Sequence, residues 1–499
     1  MSLLSLYTRH YIISEFTKKG KTRNDISQHI NYTEIWDPLT IVKRLKKYPP
    51  QLMIFTPSSN KVITTQAPEV IFENGLRKIK PHFDIRTCAV KGRFFTRTLL
   101  DILTSEFRSK TREEYTEEIL SKKYKIYVHY KNSEIIEKQE IDPNFTNEIS
   151  DPEQILAYKF KQNDAYTISY HKHEPFCLQW TEDEVTDFEN NLICGIDILA
   201  NEDDYIVIDK PGGIIVHPSA SYYDNSITNV LFHSTGSKYY STFRLDKVTS
   251  GVLALGKSSA GAKKFHENIQ NKNCFKYYLA KAKGKFPGKP IGLSKFIELS
   301  NNKNAKGNDQ VDFPMDSAVI ETSPIYQIDT KSEFQHGFSE PKEAESHFQL
   351  IAYDSIKNES LVLCRPISGR QHQLRIHLMR LNHSIPGDFI YDIESSYYPK
   401  KISFMKEVRD HRVTYPDISV LEPKFVEFRE EFIDLINDNT DAIPVPCPDC
   451  GQEEYTEPPV EEMKIFLHSF RYRIVEEDED KADLCFQTKM PKWALEFKE

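Results

Sequence analysis

The 499-residue chain carries 65 Lys and Arg against 74 Asp and Glu, a net charge of -9, and is 39% hydrophobic and 12% aromatic. That length holds about three domains' worth of core. No apolar run approaches the roughly 20 residues that span a bilayer, and eight scattered cysteines without a secretory segment argue for a reducing intracellular compartment. The acidic total argues against a nucleic-acid partner, so the distribution of charge matters more than its sum.

Residues 1–69 read as a partly disordered N-terminal extension. The first 24 residues carry Arg9, Lys18, Lys19, Lys21 and Arg23 against Glu15 alone. A mitochondrial presequence has this composition, but Glu15 and the lack of an amphipathic arginine face favour a disordered basic segment. Residues 70–175 form a first module. Between Leu76 and Arg97 the cations Arg77, Lys78, Lys80, Arg86, Lys91, Arg93 and Arg97 face one acid, Asp84, and Phe83, Phe94 and Phe95 are interleaved with them. Such a mixture contacts phosphates and stacks on unpaired bases; the bland alternative is a solvated basic face. Leu99, Ile102, Leu103 and Phe107, then Tyr115 and Ile119, fall at helical spacing, and Tyr124 to Val128 reads as a strand.

After a connector over 176–195, a second domain spans 196–475. Tyr205 to Ile208 is a short strand ending at Asp209, and Pro211-Gly212-Gly213 turns the chain. Val252 to Leu255 is another strand, followed by a helix capped by Ser258 or Ser259, with Ala262, Phe265 and Ile269 on one face. Tyr278, Ala280 and Ala282 alternate with lysines as a half-buried strand. From about 292 to 341 an Asn-, Ser- and Glu-rich stretch reads as an inserted surface loop, partly disordered. Phe348–Tyr353 and Leu361–Cys364 suit an antiparallel pair. Leu374, Leu378 and Leu381 then mark a helix with Asn382 as its left-handed cap. Residues 476–499 read as an acidic tail. Strands and helices do not alternate regularly, so the fold class is α+β with a largely antiparallel, mixed sheet.

Three segments carry the chemistry: Lys210-Pro211-Gly212-Gly213, the run from Arg244-Leu245-Asp246-Lys247 to Leu253, and the run from Ser368-Gly369-Arg370-Gln371-His372 to Leu378. A carboxylate between an arginine and a Thr-Ser-Gly turn, just before an apolar strand, suits a nucleophile or base kept ionised by a nearby cation. In this order the three segments resemble the RluA-type family of RNA pseudouridine synthases. Helix, helix, strand with flanking cations in the first module looks like a degenerate S4-type RNA-binding unit, which often precedes this catalytic domain.

The resemblance implies the pseudouridine synthase fold and a reaction in which the bond from ribose C1′ to uracil N1 breaks, the base rotates, C1′ joins C5 and the C5 proton leaves. That reaction needs no cofactor, and the chain has no Walker-type loop and no G-x-G-x-x-G opening a helix. It also implies that Asp246 is the catalytic aspartate, either adding to the ribose or removing a ribose proton. Tyr278, in Lys276-Tyr277-Tyr278-Leu279-Ala280, would stack on the uracil and assist loss of the C5 proton; a core tyrosine is its competitor. Arg375 would form a salt bridge with Asp246. Arg244 would enter the space left by the flipped base, and Arg370 and His372 would shape the helix start against substrate. Lys210 would be structural or face a phosphate. Arg77, Lys78, Lys80, Lys91 and Arg93 would bind RNA.

Leu76 to Pro81, Lys91-Gly92-Arg93 and His171-Lys172-His173-Glu174-Pro175 resemble the family's fungal tRNA-modifying branch. This implies a tRNA substrate modified in the anticodon arm, at position 31 first and 32 next, by an enzyme acting in the cytoplasm, in mitochondria or in both. A monomer with no membrane or protein partner is the default. Alternatives are a synthase acting on rRNA or another RNA, a non-catalytic RNA-binding or tRNA-folding protein, and a nucleosidase, which would show two cooperating carboxylates. Cys447-Pro448-Asp449-Cys450 is half of a zinc set that His468 and Cys485 would have to complete through the fold, so no metal is expected.

Overall fold

The computed structural model describes residues 52–56, 59–65, 67–107, 110–130, 147–270, 274–301, 313–326, 341–414, 421–438, 446–475 and 483–497. The chain divides into two compact units, Met1–Ala67 and Pro68–Glu499. In the first, β1 (Leu52–Thr56) and β2 (Ser59–Thr65) form an antiparallel hairpin. The basic segment before it lies outside the described residues.

The second unit opens with β3 (Val70–Glu73) and β4 (Leu76–Ile79), joined by Asn74-Gly75 with both φ positive, 55° and 74°. This two-residue turn matches the twist of paired strands. It converts part of the supposed basic patch into a strand, whose alternation turns Arg77 inward. After β5 (His82–Ala89), Thr98 caps α1 (Leu99–Glu106) and a Thr111–Glu114 capping box starts α2 (Arg112–Leu120). Next come β6 (Tyr124–Tyr127), β7 (Glu148–Ile149), α3 (Pro152–Ala157) and β8 (Ala165–Lys172). The strands form an antiparallel sheet in the order β5, β8, β6, β7. Leu99, Ile102, Leu103, Tyr115, Ile119 and Tyr124, spaced for helix and strand, share its core.

The supposed connector adds β9 (Cys177–Leu178), which pairs with β4, and β10 (Leu192–Ile193). The large sheet is then built from β11 (Ile196–Asn201), β12 (Tyr205–Lys210), β13 (Tyr240–Ser241) and β14 (Ser250–Gly256), with α4 (Ile227–Thr235) between the second and third. Ser258 starts α5 (Ser259–Gln270) by accepting the Gly261 N–H, and β15 (Cys274–Lys283) follows. Beyond it lie α6 (Leu293–Asn301), β16 (Val319–Glu321), β17 (Ser346–Asp354), β18 (Glu359–Pro366) and α7 (Gln373–Arg380). Two further helices, α8 (Pro399–Thr414) and α9 (Glu422–Asp438), pack through Phe404, Phe425 and Phe428. The sheet closes with β19 (Leu467–Ile474) and β20 (Leu484–Gln487), before α10 (Lys492–Leu495). Its main path runs β10, β11, β12, β14, β19, β15, β18, β17, β16. Every pairing is antiparallel except β14 with β19, so the sheet is mixed and largely antiparallel.

Two expectations need correction. The stretch from 292 to 341 is not simply a surface loop. Its first part is α6, whose Phe296 is fully buried and stacks on Phe313 at 4.8 Å, and its later part contributes β16 and buried Ile325. Apolar residues at helical spacing outweigh a polar average when they reach a core. Residues 302–312 and 327–340 lie outside the described set. The second correction concerns the tail: after an acidic run, 483–497 returns to the sheet as β20 and α10, burying Phe486, Ala494 and Phe497.

Candidate active site

Asp246 sits on the turn that leads into β14, its side chain 26% exposed. The turn is held from below. The Thr249 N–H donates to the Asp246 carbonyl at 3.1 Å, and the Gly213 N–H donates to the Lys247 carbonyl at 2.8 Å. Lys210, at the end of β12 and wholly buried, donates to the carbonyls of Pro211, Asp246, Lys247 and Thr249 at 2.9, 3.4, 3.3 and 2.8 Å. Burial pulls its pKa down to about 7, with the Asp246 charge acting the other way. Two glycines let these strands meet. Gly213 has φ +85° and a Cβ there would lie 2.3 Å from the Leu178 Cβ. At Gly251, φ +112°, a Cβ would lie 2.1 Å from the Ser469 carbonyl oxygen across the parallel pairing.

Arg375, from α7, reaches Asp246 Oδ2 with Nη1 at 3.4 Å. Its stronger partner is Asp388, 1% exposed, which takes Nε and Nη2 at 2.7 Å each in a bidentate fork. Burial alone would lower the Arg375 pKa, but the Asp388 bond and charge, and then Asp246, raise it. The guanidinium lies 4.9 Å from the centre of the Tyr391 ring, and the His372 Nδ1 is 2.8 Å from the Tyr391 hydroxyl. His372 occupies the left-handed region, φ 55°, just before α7, which places its Nε2 3.8 Å from Asp246 Oδ1. Burial lowers the pKa of His372 despite that carboxylate, so it is a polar neighbour rather than an ionic partner. Asp388 is not among the candidate residues that the sequence singles out. Its only sequence signal was a carboxylate following Gly387 shortly after an arginine-bearing helix.

Successive side chains of β15 point to opposite faces of the sheet, so the Tyr277 and Tyr278 rings part, while the bulge in this pairing lies on β19, where Phe470 is the extra residue. Tyr277 enters the core with Phe313 and Phe470, while Tyr278 belongs to the core that includes Leu245. The Tyr278 hydroxyl is 2.8 Å from that of Tyr472 on β19. Burial pushes its pKa up to about 12; the Tyr472 hydroxyl lowers it and the Asp246 charge adds to the rise. A neutral phenol of this kind stacks and relays a proton through a partner, but it is a poor base by itself. The alignment of Tyr278 with the Asp246 side of the sheet was legible; Tyr472 was not.

The proposed RNA contacts divide sharply. Arg77 is 2% exposed, paired with Glu184 at 2.5 Å and bonded to Asn225 Oδ1 at 2.5 Å, so it has no surface for RNA. Lys78 is half-buried between Glu73 and Glu457. Lys210 is equally sequestered, which excludes a phosphate-facing role. In contrast Lys80, Lys91 and Arg93 are exposed, with Lys80 near Glu69 at 2.9 Å and Arg93 near Glu106 at 3.1 Å. Phe83 is 67% exposed on β5. Arg244 is exposed beside the Asp246 turn without an ion pair among the described residues, and Arg370 is exposed, donating to the Glu343 carbonyl at 2.9 Å. His468 does not complete a zinc set: its nitrogens meet Ser250 Oγ at 2.8 Å and Thr488 Oγ1 at 2.6 Å. Cys485 lies on β20 opposite Arg473.

This geometry offers one accessible carboxylate held near a locked guanidinium, a buried tyrosine pair and a rim of unpaired arginine. Asp388 does not serve as a second catalytic carboxylate of hydrolytic type, because both its oxygens are tied to Arg375 and closed to solvent. No helix among the described residues is long and apolar enough to cross a membrane. Residues 204–380 match the family described as RNA pseudouridylate synthase. The chain is similar to the tRNA pseudouridine(31) synthase of Saccharomyces cerevisiae, with 33% identity over 440 residues, covering 86% of this chain and 98% of that protein. It is 28% identical over 433 residues to the same yeast's mitochondrial tRNA pseudouridine(32) synthase, covering 86% and 79%. RNA pseudouridine synthase 7 of Oryza sativa is 24% identical over 442 residues, covering 86% and 92%.

Proposed function

Because the chain belongs to the RNA pseudouridylate synthase family, we propose that it isomerises a uridine in the anticodon arm of tRNA, at position 31 first and 32 next. The observation that carries the chemistry is the Asp246 turn, fixed by buried Lys210 and facing Arg375. Asp246 acts on the ribose, either as nucleophile at C1′ or as base at C2′. In both routes the C1′–N1 bond breaks, C1′ joins C5, N1 gains a proton and the C5 proton departs. Tyr278 stacks on the base, and with a pKa near 12 it works with Tyr472 as a relay. Arg375 orients the carboxylate through its 3.4 Å contact, and Arg244 fills the space that the flipped uridine vacates.

We read residues 70–175 as a degenerate S4-like RNA-binding module. The succession α1, α2, β6 and the exposed set Lys80, Phe83, Lys91 and Arg93 support that reading. The anticodon arm is supported by near-complete coverage of a yeast relative named for position 31. A mitochondrial relative leaves both the cytoplasm and mitochondria open as the compartment.

Mapping pseudouridines across cellular RNAs with and without the protein tests this directly. Loss of one mark in the tRNA anticodon arm is the expected result. An intact tRNA with a mark lost from rRNA would move the substrate and keep the chemistry. Release of free uracil in vitro would replace isomerisation by glycosidic cleavage.

A further inference from the structure

Four side chains unused by the isomerisation converge at the end of β8. His171 Nδ1 lies 3.4 Å from Cys447 Sγ and 2.9 Å from His173 Nε2, and His173 Nε2 lies 3.3 Å from Cys450 Sγ. All four donor atoms fall within 4.8 Å of one another. With Zn–N near 2.0–2.1 Å and Zn–S near 2.3 Å, tetrahedral donors stand roughly 3.3–3.8 Å apart. We propose that His171, His173, Cys447 and Cys450 hold a structural zinc ion, which replaces the expectation that the chain binds no metal.

The surroundings suit that assignment. His171 is 3% exposed and its other nitrogen, Nε2, lies 3.7 Å from Asp449 Oδ2, placing a carboxylate behind a ligating imidazole. Gly451, at φ +71°, closes the Cys-x-x-Cys turn by donating its N–H to the Cys447 carbonyl at 2.8 Å. The Gln452 N–H then points at Cys450 Sγ at 3.4 Å, a bond that favours a thiolate. As the metal–sulfur bonds form, each cysteine releases its thiol proton to solvent. Two thiolates and two neutral imidazoles then balance the dication. Four protein ligands leave no open position, so the ion is structural rather than catalytic.

Its place in the fold gives it a task. The alternate residues Lys172 and Glu174 point the other way, into the turn before α4: Glu174 accepts the backbone N–H groups of Tyr223, Asp224 and Asn225 at 2.9, 2.8 and 2.9 Å. Further along the cysteine-bearing segment, Glu457 bonds Asn74 at 2.9 Å and pairs with Lys78. The metal therefore staples the segment before β19 onto the first module, fixing the RNA-facing strands against the catalytic sheet.

Elemental analysis of the full-length, untagged protein purified without chelators should find about one zinc per chain. The double variant Cys447→Ser/Cys450→Ser should hold less than about a tenth of that, whereas Cys485→Ser keeps it and His171→Cys retains binding through a three-cysteine set. Cobalt-loaded wild type should show tetrahedral visible bands and a thiolate charge-transfer band, both changed in Cys450→Ser. Wild-type protein that contains no zinc and takes up neither zinc nor cobalt would overturn the proposal. So would a Cys447–Cys450 disulfide in freshly prepared protein under reducing conditions.

Discussion

Two of the regions that bury charged side chains treat them differently. Where the first module meets the catalytic sheet, Lys172 pairs with Asp224 at 2.5 Å and with Glu174 at 3.1 Å, Asp224 also meets His233 at 2.8 Å, and Arg77 pairs with Glu184. Burial would raise the Asp224 pKa, but His233 and Lys172 hold it down to about 2. At the candidate active site Arg375 is equally buried, yet its fork is spent on Asp388, leaving Asp246 one guanidinium contact at 3.4 Å and a quarter of its side chain open. Saturated ions define a geometry. An ion left partly unsatisfied on a rigid support is available for chemistry.

The largest effect that would sharpen this contrast is at Asp246. Asp246→Ala should lower pseudouridine formation at least about 1000-fold, about 4 kcal/mol of barrier, while the melting temperature and tRNA affinity barely move, because Arg375 keeps Asp388. Turnover within a few per cent of wild type in a tritium-release assay would remove Asp246 from the reaction. At the junction the opposite pattern is expected. Arg77→Ala should cost about 2–3 kcal/mol of stability by stranding Glu184 and Asn225. The salt slope of RNA binding should not change; a flatter slope would return Arg77 to the RNA surface.

A subtler break concerns acid. Burial lowers the His468 pKa to about 4 from its ordinary 6.5, so the unfolded chain takes up this proton first. Its contribution to stability is present above pH 6.5 and is lost as pH falls toward 4, on the order of 2–3 kcal/mol. Asp209, pushed up to about 7 from its ordinary 3.8 by burial, slopes the other way across that whole window. The difference between proteins is therefore the measurement: His468→Gln, which keeps an amide for Ser250 and Thr488, should lose less stability than wild type between pH 7 and 5 in urea unfolding. Parallel curves would mean that His468 does not titrate there. The smallest effect is at the rim. Replacing Lys80, Lys91 and Arg93 by Gln should weaken tRNA binding on the order of tenfold and reduce its salt slope by about 2–3, with turnover at saturating tRNA unchanged.

Much of the site was legible as local pattern. Asp246 beside Arg244, Tyr278 in phase with the buried face, Arg375 on a helix ended by left-handed Asn382: each depends on neighbours within a few residues, where periodicity and turn chemistry act. The large sheet's strands from Tyr205 to Cys364 were readable for the same reason. Other features failed where a local average hid a long-range partner. Phe296 looked like part of a polar insertion until Phe313 and Phe470 enclosed it. Likewise, 483–497 looked like an acidic tail until β19 offered it an edge.

The chain alone therefore pointed to the reaction class and to Asp246 as its candidate carboxylate, because both reside in short segments whose residue types are constrained by chemistry. Only the tertiary structure decided which of the candidate cations are exposed and which are buried. Arg77, Lys210 and Lys91 are alike as letters, and nothing within a few residues tells a buried staple from an exposed contact. Desolvation and pairing separate them, and both depend on what the fold brings from far away in the chain. Asp224 and Glu184 reach Arg77 in this way, and Cys447 and Cys450 likewise reach His171 and His173.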